Sequence, residues 1–264
     1  MSRIRALLAM LVVGVGVASA DPWWYVYDGT SYPEEAGWGR FVAEGGALRS
    51  LEDGALIIDS RASTSIYDEY LMYMPSPPGP GQVFLLEFGL RVDEVIGFAD
   101  PCMSMSFAPS AEATLWFKAH QIYSLLECCC IADYTPGVFH DYALTTSDLQ
   151  TYALFVDGQM VHEGALFSVC STSTVLWGDC VIGSASLSAW DYVRFGVVPA
   201  PQLGDVNCDA TVDFRDINPF VQALTDQNDY KNMYPGCWPE NADINGDGSV
   251  DFGDINPFIE VLTS

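Results

Sequence analysis

Leu154-Phe155-Val156-Asp157-Gly158-Gln159-Met160-Val161 sets Asp-Gly between two runs of strand-forming residues. A two-residue type I′ turn needs positive φ at both central positions. Asp and Gly tolerate this, so the stretch predicts a β-hairpin. Short apolar or alternating runs of the same kind recur at 55–59, 83–92, 102–107, 114–119, 152–156 and 192–198. Turns containing Gly or Pro separate them, and capped helical periodicity is absent across residues 21–198. Such a succession predicts a mainly β fold, with an N-terminal β-sandwich of the jelly-roll type.

Working outward, the 264-residue chain is half apolar and carries a formal net charge of −25. That composition supports a sizeable core plus a second, smaller domain. The acidity argues against nucleic acid or an anionic membrane surface as partners and makes cations the natural counter-charge. Residues 1–20 have the layout of a signal peptide. Arg3 and Arg5 precede an apolar run over 6–18, and Ala18-Ser19-Ala20 forms a small-residue cleavage site. The expectation is a secreted or cell-surface protein that begins at Asp21, with no membrane span in the mature chain.

Cysteine usage agrees with export. Eight cysteines are present and no CxxC pair, so disulfides are favoured over thiolate zinc. Cys208 with Cys237 is the expected bridge near the C-terminus, and Cys170 with Cys180 would close a short loop. Cys102 is then left for one member of the triplet Cys128, Cys129 and Cys130.

The pattern changes after Val197-Val198-Pro199-Ala200-Pro201-Gln202. Two prolines there suit a stiff linker over 199–203. Residues 205–225 and 243–263 align at an offset of 38 with 13 of 21 positions identical, which marks an internal duplication. Each copy opens with side-chain oxygens at loop positions 1, 3, 5, 9 and 12. In the first these are Asp205, Asn207, Asp209, Asp213 and Asp216; in the second, Asp243, Asn245, Asp247, Asp251 and Asp254. A calcium ion takes six to eight oxygens, so a tight loop must aim every second side chain inward, and this is the spacing of an EF-hand-type loop. Thr211 and Ser249, at position 7, would offer backbone carbonyls. Two calcium ions are the expected cofactors. Gly248 suits the sharp turn at position 6, whereas Ala210 stands there in the first loop, so the first site is expected to be the weaker. Short helices should follow, with Asn218 and Asn256 as N-caps and Pro219 and Pro257 in the first helical position.

DVNCDATVDFRD and DINGDGSVDFGD, each followed by a short helix, resemble the two F-hand motifs of a type I dockerin over residues 204–264. The resemblance implies a small α-helical module that docks a cohesin-like or other surface protein when calcium is bound. Its recognition positions hold Phe214, Arg215, Phe252 and Gly253 here, in place of the small hydroxyl or aliphatic pairs usual in that family.

Residues 152–158 and Ser188-Ala189-Trp190-Asp191-Tyr192-Val193-Arg194-Phe195-Gly196 give the larger part a weaker resemblance to concanavalin A-like and laminin G-like jelly rolls. No carboxylate run of the E-x-D-x-E kind and no G-x-S-x-G elbow is present, so no catalytic residue is named. Glu87 and Glu94 flank one strand, but an odd spacing sets them on opposite faces of a regular strand. His120, His140 and His162 are scattered. Trp23, Trp24, Trp38, Trp116, Trp177 and Trp190 divide between core and a sugar-stacking platform, with core the commoner fate. The leading expectation is an exported, non-catalytic protein in which a β-sandwich, carbohydrate-binding in one version, is attached to a calcium-dependent docking module. The alternatives are a divergent O-glycosyl hydrolase acting on polysaccharide and a purely structural surface-assembly subunit.

Overall fold

A computed structural model of the chain describes residues 23–263 except 44, 80, 168–171, 201, 210, 235, 236 and 248. The expected signal peptide at 1–20, Cys170, Ala210 and Gly248 lie outside the described residues. The strands are β1 (Trp23–Tyr27), β2 (Gly39–Ala43), β3 (Leu48–Glu52), β4 (Ala55–Asp59), β5 (Tyr67–Tyr73), β6 (Gln82–Ile96), β7 (Cys102–Phe107) and β8 (Ala111–Phe117). They continue as β9 (Gln121–Ser124), β10 (Cys129–Asp133), β11 (His140–Thr146), β12 (Thr151–Val156), β13 (Gln159–Ala165), β14 (Thr174–Asp179) and β15 (Ala185–Pro199). One sheet runs β13-β12-β11-β6-β15-β4-β3, with β1 also on β15, and the other runs β10-β9-β8-β7-β14-β5-β2. Every pairing in both is antiparallel. The mainly β, two-layer architecture expected from the sequence is therefore present.

The alternation of side chains explains the layering. Met103, Met105 and Phe107 of β7 turn inward against Phe84, Leu86 and Phe88 of β6, while Ser104 and Ser106 turn outward. Trp177 is the centre of the core. Its ring lies 4.7 Å from Tyr70, 4.8 Å from Trp190, 5.4 Å from Tyr27 and 5.6 Å from Trp38. The Asp157-Gly158 turn joins β12 to β13 with φ of 51° and 79°, as the type I′ geometry requires. Asp53-Gly54 repeats this turn between β3 and β4 with φ of 51° and 80°, a hairpin the same signal could have revealed.

The cysteines require a correction. Cys102 bonds Cys180, not a member of the triplet, and Cys180 is thereby unavailable to Cys170. The cause is topological: β7 and β14 are neighbours, and Gly178 lies opposite Cys102. Cys128, Cys129 and Cys130 are exposed and unbonded among the described residues. Cys208 is bonded to Cys237.

Among the described residues the C-terminal part contains three short α-helices, α1 (Ile217–Thr225), α2 (Gln227–Met233) and α3 (Ile255–Leu262). None is long and apolar enough to cross a membrane. The helical turns begin earlier than Asn218 and Asn256. Asp213 and Asp251 each cap a 3-10 turn through a reciprocal capping box with Asp216 and Asp254, and α1 and α3 continue from it. Pro219 and Pro257 consequently fall in the third helical position, where the missing N–H is still one the helix cannot use. Phe220 and Phe258, equivalent in the two repeats, stack with centroids 4.0 Å apart and planes 10° apart. Trp238 packs on Val83, Leu85 and Val198, which seats this part on the outer face of the first sheet. The start of the expected linker is tied down too, since the Ala200 amide donates to the Gly81 carbonyl.

Trp177→Ala should destabilise the sandwich by about 3–5 kcal/mol, the usual cost of emptying a core aromatic site. Urea denaturation would register this as a lower midpoint with an unchanged slope.

Candidate functional site

The two acidic loops adopt the same internal hydrogen-bonding scheme. In the first, the Asp209 amide donates to Asp205 Oδ1 (3.1 Å) and Asn207 Oδ1 (2.8 Å), and the Thr211 amide to Asp209 Oδ1 (3.0 Å). In the second, the Asp247 amide donates to Asp243 Oδ1 (3.1 Å) and Asn245 Oδ1 (2.8 Å), and the Ser249 amide to Asp247 Oδ1 (3.0 Å). Asp216 and Asp254 close the loops. Each is fully buried and accepts the amide of position 3 on one oxygen and of position 9 on the other. Burial raises the Asp216 pKa above the ordinary carboxylate value. The donor set is entirely oxygen, as a hard cation requires. Among the described residues no group of three or more His, Cys, Asp or Glu side chains is drawn together closely enough to form a ready-made metal cage. One asymmetry is new. The Arg215 guanidinium sits 3.4 Å from Asp209 and 3.8 Å from Asp213, whereas the equivalent of Arg215 in the second loop is Gly253.

The positions assigned to partner recognition face solvent. Phe214 and Phe252 are 75% and 79% exposed. Ile217 and Val221 extend the first into an apolar strip, and Ile255 and Ile259 extend the second. On α1 and α3, Phe220 and Phe258 are core, while Val221 and Ile259 face solvent.

Glu87 and Glu94 are not on opposite faces. Asp93 is an extra residue in the β6–β15 register, since Leu187 pairs with Glu94 and Ser188 with Val92. This bulge resets the alternation, so both glutamates point outward. They remain far apart and separately engaged: Glu87 is ion-paired with Arg194, and Glu94 with Arg61 at 2.7 Å. Arg194 also lies 4.4 Å over the Trp23 ring. Glu87 and Arg194, but not Glu94, border a groove of about 320 Å³ beneath the C-terminal part, lined also by Asp141, Tyr192 and Trp238. The histidines are structural or exposed: His140 bonds Asp157 at 2.7 Å, His162 bonds Glu127 at 2.9 Å, and His120 faces solvent.

Trp38, Trp177 and Trp190 belong to the core, and Trp24 packs on its edge. Trp116 does not. It lies on the outer face of the second sheet, opposite Tyr123, with ring planes 22° apart and centroids 6.2 Å apart. The adjoining outward residues are hydroxyls in cross-strand pairs, Ser104 with Thr114 and Ser106 with Thr174, each at 2.9 Å. Thr114 also donates to Glu112 Oε1. These hydroxyls are nearly buried although they point away from the core, so the face is recessed. Glu69 lies in the same cross-strand row as Trp116, with Gly178 and Cys102 between them. Its side chain is buried, and that burial raises its pKa. The face combines aromatic rings, hydroxyls and carboxyls, the groups that hold a sugar by stacking and hydrogen bonding. Sequence reading weighed Trp116 for a sugar-stacking platform but missed the rest of the face, because Thr174, Gly178 and Glu69 join it from strands distant in the chain.

No protein-family model matches the chain, and no curated protein sequence matches it. Among solved structures, it is similar to an endo-1,3-beta-glucanase from Streptomyces sioyaensis, at 14% identity and a TM-score of 0.46, over 70% of this chain and 100% of that one. It is also similar to a Bacillus licheniformis beta-glucanase, at 13% identity and a TM-score of 0.43, over 67% and 99%. A sialidase shares 13% identity at a TM-score of 0.44 over 75% of this chain, which spans only 20% of the sialidase. Likenesses this distant say nothing of activity, and the fold rests on the sheet order and register above.

Glu69 supplies a pH test. Its native pKa is raised, so the unfolded chain loses this proton first and native stability falls as pH rises through the ordinary glutamate range. Glu69→Gln should therefore gain stability relative to the parent between about pH 4 and 7. Paired urea titrations across that interval would read the difference.

Proposed function

We propose that this is an exported, non-catalytic binding protein: a β-sandwich that recognises polysaccharide through its recessed outer face, joined to a C-terminal part that docks a surface protein when its two loops hold calcium. The observation that carries the calcium reading is the shared hydrogen-bonding scheme of the loops. Duplicated residues adopt duplicated geometry, with oxygen ligands tethered by the loop's own amides.

Asp205, Asn207, Asp209, Asp213 and Asp216 would hold one ion, with the Thr211 carbonyl; Asp243, Asn245, Asp247, Asp251 and Asp254 would hold the other, with the Ser249 carbonyl. Calcium supplies the positive charge that lets four carboxylates share one small loop. The chain's own residues do the rest. Asp216 and Asp254 tie each loop to the start of its helix, and the stacked Phe220 and Phe258 tie the two repeats together. Loop order is thereby passed to the exposed strips at Phe214, Ile217 and Val221 and at Phe252, Ile255 and Ile259, which would meet the partner. Arg215 competes with calcium for Asp209 and Asp213, which adds to the weakness expected of the first loop.

Titration calorimetry of the full chain should detect two loop ions, with Asp243→Asn removing the tighter event and Asp205→Asn the weaker. Loops that take up no calcium at millimolar concentration would end the docking reading. Separately, the sandwich should retain a polysaccharide on a glycan array, and Trp116→Ala should weaken that binding about tenfold, the value of one stacking contact of roughly 1.4 kcal/mol. Unchanged retention by this variant would remove the recessed face as the site.

A further inference from the structure

Asp100 and Asp179 are both wholly buried in the sandwich and face one another. Asp100 precedes β7 in the connection from β6, and Asp179 ends β14. The Cys102–Cys180 bond lies beside both and holds the two segments together. Asp100 Oδ1 accepts the Cys180 amide at 3.2 Å. Asp100 Oδ2 and both oxygens of Asp179 have no hydrogen-bond partner. Ser186, at the start of β15 and wholly buried, points its Oγ toward Asp100, and that oxygen is also without a partner. The Ser60 hydroxyl lies beside Asp179 and accepts the Ser186 amide at 2.8 Å. Among the described residues no Lys or Arg is paired with either aspartate. Asp68 lies opposite Asp179, but its own charge is matched by Arg40 at 2.5 Å.

Two carboxylates cannot both stay ionised side by side in a dry interior without a counter-charge. A proton shared between them would satisfy two of the four orphaned oxygens. A cation can take all four at once.

We propose that Asp100, Asp179 and Ser186, with Ser60 at the margin, form a buried site in the sandwich for a hard divalent cation of the calcium type, separate from the C-terminal loops. The oxygen-only donor set excludes soft metals. Without the ion, burial and the facing Asp179 carboxyl raise the Asp100 pKa well above its ordinary value, and burial raises that of Asp179. The ion displaces the proton that such a pair must otherwise hold. Its role is structural: it locks the end of β14 to the β6–β7 connection and the start of β15.

The test uses the full chain with the loops disabled by Asp205→Asn, Asp216→Asn, Asp243→Asn and Asp254→Asn. Protein exposed to calcium and then desalted should retain one ion per chain by elemental analysis. Its sandwich should melt at higher temperature in calcium than in EGTA. Adding Asp100→Asn should take retention from one ion to none and abolish the calcium-dependent shift. Asparagine can still accept the Cys180 amide and donate to Asp179, so this variant imitates the protonated acid and should fold. A loop-disabled chain with no retained ion and the same melting temperature in calcium and EGTA would overturn the proposal and establish the shared proton. Because the loops are disabled, this result is independent of whether they bind calcium.

Discussion

The pairing of β6 with β15 is the constraint on which the rest of the molecule depends. Both strands are fifteen residues long, and they lie side by side almost end to end. Their inward residues, among them Phe84, Phe88, Trp190 and Phe195, supply much of the aromatic core. Their outward residues, Glu87 and Arg194, form the floor of the groove. At its far end β15 delivers the chain to the C-terminal part, and Val83, Leu85 and Val198 of the same pair receive Trp238. A bulge at Asp93 on β6 is matched by one at Asp191 on β15, so both strands change phase without losing each other.

Acidic surplus is the second organising condition. The few basic side chains are placed where an acid would otherwise be uncompensated. Arg40 meets buried Asp68, Arg194 meets Glu87, and Arg61 meets both Asp59 and Glu94. Among the described residues the second C-terminal loop and the Asp100–Asp179 pair have no arginine beside them, and the first loop has only the exposed Arg215 near Asp209 and Asp213. Backbone amides meet many of the loop oxygens, and these are the places where the proposed cations would sit.

Features fixed by local chemistry were legible in the sequence. The Asp157-Gly158 turn, the strands at 55–59 and 102–107, and the duplication at an offset of 38 are all set by neighbouring residues. Features fixed by packing were not. The bulge at Asp93 leaves no compositional trace and reverses the face on which Glu94 points. Cys102 and Cys180 are 78 residues apart, and only the adjacency of β7 and β14 pairs them. Helix α2 is short and polar, with Tyr230 as its one buried residue, so no apolar periodicity announces it. The recessed face of Trp116, Tyr123 and the serine–threonine pairs is assembled from four strands, the consecutive β7, β8 and β9 and the distant β14. The Asp100–Asp179 pair likewise exists only in three dimensions, since neither residue sits in a recognisable motif.

The disulfides also have a mechanical meaning. A protein pulled from its ends lengthens as its chain pays out, each residue adding about 3.3–3.6 Å once extended. Cys102–Cys180 withholds the chain between residues 78 apart, roughly 260 Å of contour, and Cys208–Cys237 withholds the chain between residues 29 apart, roughly 100 Å. Between them they enclose β7 through β14, most of the first repeat's loop, α1 and α2. Tension therefore passes through the bonds and around these segments, so the recessed sheet face and the first helix stay outside the line of force even when the flanking strands have been peeled away.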